Sequence, residues 1–168
     1  MEFNEAKAQF IQTWGKLGSE WGINRTMAQV HAILLISPIP LCTEDIMEQL
    51  SISRGNTNMN VRDLLNWTLI YKELIPGDRK EYFIAEKDIW EVARRIIRER
   101  KKREMEPVVR ALNQLKVIEG DQESKEIKEF TSMMSQLDSF VGKMDKSVNL
   151  LINENENKLF TLLFKLIK

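Results

Sequence analysis

The sequence predicts a mostly α-helical chain carrying one small β-hairpin, and three observations support that class. Apolar residues recur at helical spacing through most of the 168 residues, and only 7 Gly and 4 Pro interrupt them. One stretch, Leu69 to Ala85, changes to strand-like composition around a Pro-Gly turn. With 43% hydrophobic residues, the chain is long enough to bury one good core.

Taken in order, Phe10, Trp14, Leu17 and Trp21 repeat at four, three and four residues, a single apolar stripe that must be covered. Met27 to Ser37 is an apolar helix carrying the lone His31. Thr43 then reads as an N-cap, with Glu44 and Asp45 where the helix dipole favours anions and Ile46, Met47 and Leu50 on one stripe. After a short turn Ser53 caps a second helix. Thr57, Val61, Leu64 and Leu65 form its expected buried face, and Gly55, Asn56, Met59, Asn60 and Asp63 the opposite one. Leu69 to Ile75, the turn Pro76-Gly77-Asp78-Arg79 and Lys80 to Ala85 then make a hairpin.

Asp88 and Glu91 resemble an acidic capping box that opens a long helix, with Ile89, Val92, Ile96 and Ile97 facing inward. Its next turns are basic, seven of the ten residues from Arg94 to Arg103, and Pro107 is expected to kink it. Such a run serves as a solvated face, as a contact to DNA backbone, or as a partner for acids of another subunit. Gly120-Asp121 breaks the pattern. Ile127, Met134, Val141 and Val148 are then spaced by seven, as are Phe130, Leu137, Met144 and Leu151, which makes a helical packing seam. It suits either dimer contacts or an internal antiparallel hairpin. Past Asn153 to Asn157, Leu159, Leu162, Leu163 and Leu166 form a second short amphipathic helix, read as a clamp on a partner. The expected organisation is an N-terminal helix over 1–22, a helix-turn-helix with its hairpin over 23–87, and a helical dimerisation region over 88–168.

A helix-turn-helix followed by a hairpin is the order of a winged helix-turn-helix, here flanked by N- and C-terminal dimerisation helices. A helix that enters the major groove needs slim polar side chains for base edges and positive charge at its margins. Asn56 and Asn60 are of the first kind, since an amide that donates and accepts matches the adenine edge, and Met59 suits a thymine methyl. Arg54 suits guanine or phosphate, Arg79 and Lys80 at the hairpin tip suit a minor groove or backbone, and Arg62 and Lys72 add phosphate contacts. With Ser53 and Thr57 at the start of the helix, these ten residues are the candidate site for double-stranded DNA. From Arg54 to Lys80 five basic residues face three acidic ones, so placement matters more than bulk charge. The alternative is a protein-interaction or architectural module without a specific operator.

Trp21-Gly22-Ile23-Asn24-Arg25-Thr26-Met27-Ala28-Gln29-Val30-His31-Ala32, Ser53 to Asn60, and Arg79-Lys80-Glu81-Tyr82-Phe83 occur in an order that resembles the GbsR branch of MarR-type transcriptional regulators. The resemblance runs to about Pro107. It implies a homodimeric repressor or activator, with repression the form expected here, and a recognition helix beginning near Ser53. For some members it implies a small-molecule effector such as a choline-like osmolyte, which fold alone does not transfer. Trp14, Trp21 and Trp90 would serve as a cation-π cage for a quaternary ammonium, or as core residues. Thr68 departs from the family, which usually places Gly there. A β-branched residue disfavours the left-handed cap, so this turn is expected to close differently.

The formal net charge of +0 argues against a protein that coats DNA indiscriminately. Met1 to Ser19 lacks the apolar core of a signal peptide, and the uncharged stretch Thr26 to Thr43 is interrupted by Pro38 and Pro40, so a cytoplasmic location without membrane contact is expected. The single Cys42 excludes an internal disulfide framework, and with His31 it is too little for a metal site; Cys42 reads as a small buried apolar residue. No cofactor is expected. Without a phosphate loop or nucleophile motif, no enzyme chemistry is assigned.

Overall fold

The computed structural model describes residues 1–116, 118–119 and 123–153, in two compact units, Met1–Val92 and Ala93–Lys168. In the first, α1 (Phe3–Glu20) packs on α2 (Arg25–Ile36) through Ile11, Gly15 and Gly18. The two glycines set how closely the helices approach. A Cβ on Gly18 would stand 2.6 Å from the Ala28 Cβ, and one on Gly15 would stand 2.7 Å from the Gln29 Cγ. This small-residue seam displaces the far end of the expected aromatic stripe: Leu17 is 37% and Trp21 57% exposed in the single chain, while Phe10 and Trp14 are half-buried.

Asn24 caps α2, its side chain accepting from Met27 N at 3.1 Å, and at the far end Lys87 Nζ donates to the carbonyls of Leu34, Leu35 and Ser37, each at 2.8 Å. Between them His31 is buried in the core. Its Nδ1 accepts from Trp14 Nε1 at 3.3 Å, so the ring proton sits on Nε2. Burial, helped by the nearby Lys87 charge, lowers the His31 pKa to about 4. Trp14, half-buried, also packs against Phe10, with ring centroids 5.5 Å apart.

A strand absent from the sequence reading follows. β1 (Leu41–Cys42) pairs with β3 (Tyr82–Ala85), and β3 pairs with β2 (Ile70–Glu73), giving a three-stranded antiparallel sheet of order β1-β3-β2. Phe83 lies opposite both Leu41 and Lys72. The strands are shorter than expected because Ile75, Pro76, Gly77 and Asp78 form the turn: Asp78 N donates to Ile75 O at 3.1 Å and Gly77 takes φ 86°. Pro followed by a left-handed Gly is the pattern of a type II turn.

The helix-turn-helix comprises α3 (Thr43–Leu50) and α4 (Arg54–Asn66). Thr43 is the first helical residue, and Cys42 takes the cap position. The Asp45 Oδ2 accepts from Cys42 N at 2.8 Å, half of a capping box. Cys42 is buried, as expected, and desolvation pushes its thiol pKa up. Three helices end in the same way, with a left-handed residue whose N–H bonds back three residues and a following N–H that bonds back five. Gly22 (φ 75°) does this after α1, Ser51 (φ 53°) after α3 and Thr68 (φ 55°) after α4. The turn at Thr68 thus closes as a glycine turn would, against the expectation from sequence. Leu69 N bonds to Leu64 O at 3.0 Å, and both side chains are buried.

α5 (Ile89–Arg100) opens on Asp88, whose Oδ1 accepts from Trp90 N at 2.9 Å and Glu91 N at 3.2 Å; Val92 is buried, while Ile89 is exposed. A π-helical turn, Lys101–Met105, then precedes α6 (Glu106–Gln114). It is the local answer to Pro107, which has no N–H to donate and crowds the turn before it. In the second unit, Lys101 Nζ meets Asp145 Oδ1 at 3.0 Å and Asn149 Oδ1 at 2.6 Å on α7 (Lys125–Asn153), and Lys116 Nζ meets Asp138 Oδ1 at 2.9 Å. The partners run antiparallel. Arg100 pairs with Glu104 at 2.9 Å and Arg103 with Glu99 at 4.0 Å, so acids of its own chain meet much of the basic run.

The heptad seam divides. Ile127, Met134, Val141 and Val148 are half-buried on the face that carries Asp138 and Asp145, whereas Phe130, Leu137, Met144 and Leu151 stay exposed. The tail from Leu159 to Leu166 lies outside the described residues. Among those described, no helix is long and apolar enough to cross a membrane, and no cluster of His, Cys, Asp or Glu could hold a metal.

Candidate nucleic-acid interface

α4 is a helix because Ser53 caps it, its Oγ accepting from Asn56 N at 3.3 Å, and because Thr57, Asn60, Val61 and Leu64 give it a buried face. That face differs from the expected one. Asn60 is 1% exposed and Thr57 0%, so neither reaches a ligand outside the core. The spacing explains the correction: 57, 60, 61 and 64 stand at i, i+3, i+4 and i+7, a tighter stripe than one drawn through Leu65, which is only half-buried. Thr57 Oγ1 donates to Ser53 O at 3.1 Å, while Asn60 Nδ2 donates to both Asn56 O and Asn56 Oδ1, each at 2.8 Å.

The exposed face consists of Arg54, Gly55, Asn58, Met59, Arg62 and Asn66, with Asn56 at its edge. Asn58 is absent from the sequence candidates. Its signal is the four-residue spacing Arg54, Asn58, Arg62, Asn66, one polar line along the helix. Arg54 does not stand free: its guanidinium meets Glu44 Oε1 at 2.6 Å. Glu44, at the start of α3, has its pKa lowered to about 2, chiefly by its own backbone N–H and further by Cys42 and Arg54. A phosphate must compete with this carboxylate for Arg54. Arg62 has no partner among the described residues.

The hairpin brings its charges to the tip. Lys72 on β2 pairs across the sheet with Glu81, leaving Arg79 and Lys80 as exposed cations without a salt bridge among the described residues, with Lys80 close enough to Asp78 for their charges to interact. Asp78 shapes that tip: Oδ1 accepts from Lys80 N at 2.9 Å and Oδ2 from Tyr82 Oη at 2.8 Å. Those two bonds hold the Asp78 carboxyl below its ordinary pKa, and the Tyr82 phenol, donating to a carboxylate, is pushed up to about 12. Of the ten sequence candidates, Met59, Arg62, Arg79 and Lys80 are exposed and outside any salt bridge among the described residues, and Asn56 is half-exposed. Arg54 and Lys72 are exposed but paired, Ser53 is a cap, and Thr57 and Asn60 are interior.

A scaffold helix, a second helix with a polar outer face, and a three-stranded sheet ending in a basic hairpin define the winged helix-turn-helix fold. No family model and no curated protein matches the sequence. Among solved structures the chain is similar to one described as a transcriptional regulator, at 20% identity and a TM-score of 0.54, over 83% of this chain and 95% of that one. It is also similar to the transcriptional regulator Tm0710 from Thermotoga maritima, at 14% identity and a TM-score of 0.41, over 86% of this chain and 93% of that one. The first likeness shows a fold shared with a regulator.

Proposed function

We propose that this protein is a sequence-specific DNA-binding transcriptional regulator acting as a homodimer, with α4 in the major groove and the β2–β3 hairpin on the adjacent backbone or minor groove. The observation that carries this reading is the outer face of α4. Arg54, Asn58, Met59 and Arg62 are slim or long polar and thioether groups on a helix, beside a hairpin tip with two exposed cations. The second unit supplies the dimer. The exposed Phe130, Leu137, Phe140 and Met144 line up on α7, an apolar face that a second copy would cover. Repression through steric blocking of a pseudo-palindromic site is the simplest mode for such a dimer, and the GbsR branch of MarR-type regulators is the family we assign.

Selection of bound duplexes from a random library, followed by competition with unrelated DNA, tests the proposal. A specific regulator enriches one site and holds it against about a thousandfold excess of competitor. A protein-interaction module enriches none.

A further inference from the structure

We infer that Asn60 is a positioning residue for base recognition, which fixes the Asn56 amide so that α4 presents a hydrogen-bond donor and reads guanine in preference to adenine. The inference rests on the reading of α4 as the recognition helix and names what that helix selects. It starts from a group whose hydrogen-bonding role is fixed by covalent chemistry. The Asn56 backbone carbonyl can only accept, so the Asn60 atom 2.8 Å from it is the amide nitrogen. That same nitrogen stands 2.8 Å from the Asn56 side chain, so the Asn56 atom facing it must be an acceptor, Oδ1. The remaining Asn56 atom is then Nδ2. It has no partner among the described residues and is not among the buried unpartnered atoms, so it lies open to solvent at the edge of the outer face.

Two amides one helical turn apart thus form a chain with one direction: backbone carbonyl, Asn60 nitrogen, Asn56 oxygen, Asn56 nitrogen. The feature is built, because Asn60 is buried to do it and leaves its own Oδ1 without a partner among the described residues. Adenine recognition by an amide needs its oxygen for the N6 donor and its nitrogen for N7. Asn60 engages one lone pair of the Asn56 Oδ1 and turns that oxygen toward its own buried amide, so the group Asn56 presents at the outer edge is its NH2, which matches the two acceptors, O6 and N7, of guanine.

The test is sequence selection from a random duplex library by the wild-type protein, Asn56→Ala and Asn60→Leu, with side-chain amide exchange of the free protein measured by NMR. Leu has the shape of Asn and no polar atom, so the variant keeps the core filled. At the position whose preference vanishes in Asn56→Ala, the wild type is expected to select guanine over adenine by about tenfold. 7-Deazaguanine there should weaken wild-type binding several-fold and leave Asn56→Ala unaffected. Asn60→Leu frees the Asn56 amide to turn, and the guanine-to-adenine ratio should fall toward one. A purely structural Asn60 would leave that ratio unchanged, which overturns the inference, as does wild-type selection of adenine. In the free protein the Asn60 amide protons should exchange slowly and those of Asn56 fast. Slow exchange at both overturns the amide orientation without touching the DNA reading. Failure of the wild type to enrich any sequence, with the exchange pattern intact, sinks the DNA reading and this role with it, while leaving the geometry in place.

Discussion

Thr68 shows a single side chain held against its own preference. At φ 55° a β-branched residue crowds the following carbonyl, and what keeps it there is the pair of bonds that closes α4 together with the burial of Leu64 and Leu69. The local bond from Thr68 Oγ1 to Trp67 O at 2.7 Å offsets some of the strain. Thr68→Gly is therefore expected to stabilise the protein by about 1 kcal/mol, seen as a higher urea midpoint at unchanged slope. An unchanged or lower midpoint would mean that the side chain contributes more than its backbone conformation costs. His31 gives a pH signature. Its folded pKa of about 4 lies below the ordinary 6.5, so the unfolded chain takes up a proton first as the pH falls. Stability is fully present above pH 6.5 and is lost between 6.5 and 4, by about 3 kcal/mol in all. Glu44, with its pKa lowered from 4.5 to about 2, keeps its stabilising contribution above 4.5 and loses it only as the pH falls further, so the interval from 6.5 to 4.5 isolates the histidine from it. His31→Leu should flatten that interval in a series of thermal melts.

Elements were legible in the sequence wherever the local signal was strong, and lost where tertiary contact outweighed it. Ser53, the Pro76-Gly77 turn and the Asp88 cap are local chemistry, and each stands where its residue type predicts. β1 is two residues long, too short for any alternation, and exists only because Leu41 and Cys42 find Phe83 and Tyr82. The aromatic stripe of α1 outweighed Gly15 and Gly18 in hydrophobicity, yet only Trp14 of it bonds to α2, and the glycines carry the close approach because they let the backbones meet. Gly18→Ala would drive a methyl group onto the Ala28 Cβ, a rigid neighbour on a helix, and should cost about 1 to 3 kcal/mol of stability by denaturant titration. In α4 the difference is one of phase: polarity places Asn60 outside, although its spacing to Thr57 and Leu64 puts it in the core. The hairpin makes a separate statement about binding. Arg79→Ala with Lys80→Ala should weaken selected and unrelated duplexes alike and reduce the slope of log affinity against log salt by about one to two units, as loss of phosphate contacts requires. A steep slope retained by the double variant would place the tip away from DNA.

For the whole molecule the open question is assembly, and the divided heptad seam makes it answerable. A seam buried entirely within one chain would have made any charged substitution ambiguous, because it would unfold the hairpin of α6 and α7 as readily as it would separate the subunits of a dimer. Here the halves of the seam have different duties. Val141, beside Asp138 and Asp145, faces the contacts within the unit, while Leu137 and Met144 are 38% and 45% exposed in the single chain. Asp at an exposed position costs a folded monomer little, whereas Asp in a covered apolar face leaves unpaired buried charge that costs several kcal/mol. Leu137→Asp with Met144→Asp should therefore leave helix content and melting of the monomer nearly unchanged but shift sedimentation to the monomer. DNA binding should then become steeply dependent on protein concentration, since a twofold reader needs both heads on one site. A Val141→Asp protein should behave differently, losing helical structure as well as association. If the double variant sediments as a tight dimer and binds the selected duplex as the wild type does, the exposed face of α7 is not the dimer interface, and the partly exposed aromatic stripe of α1 becomes the surface to test.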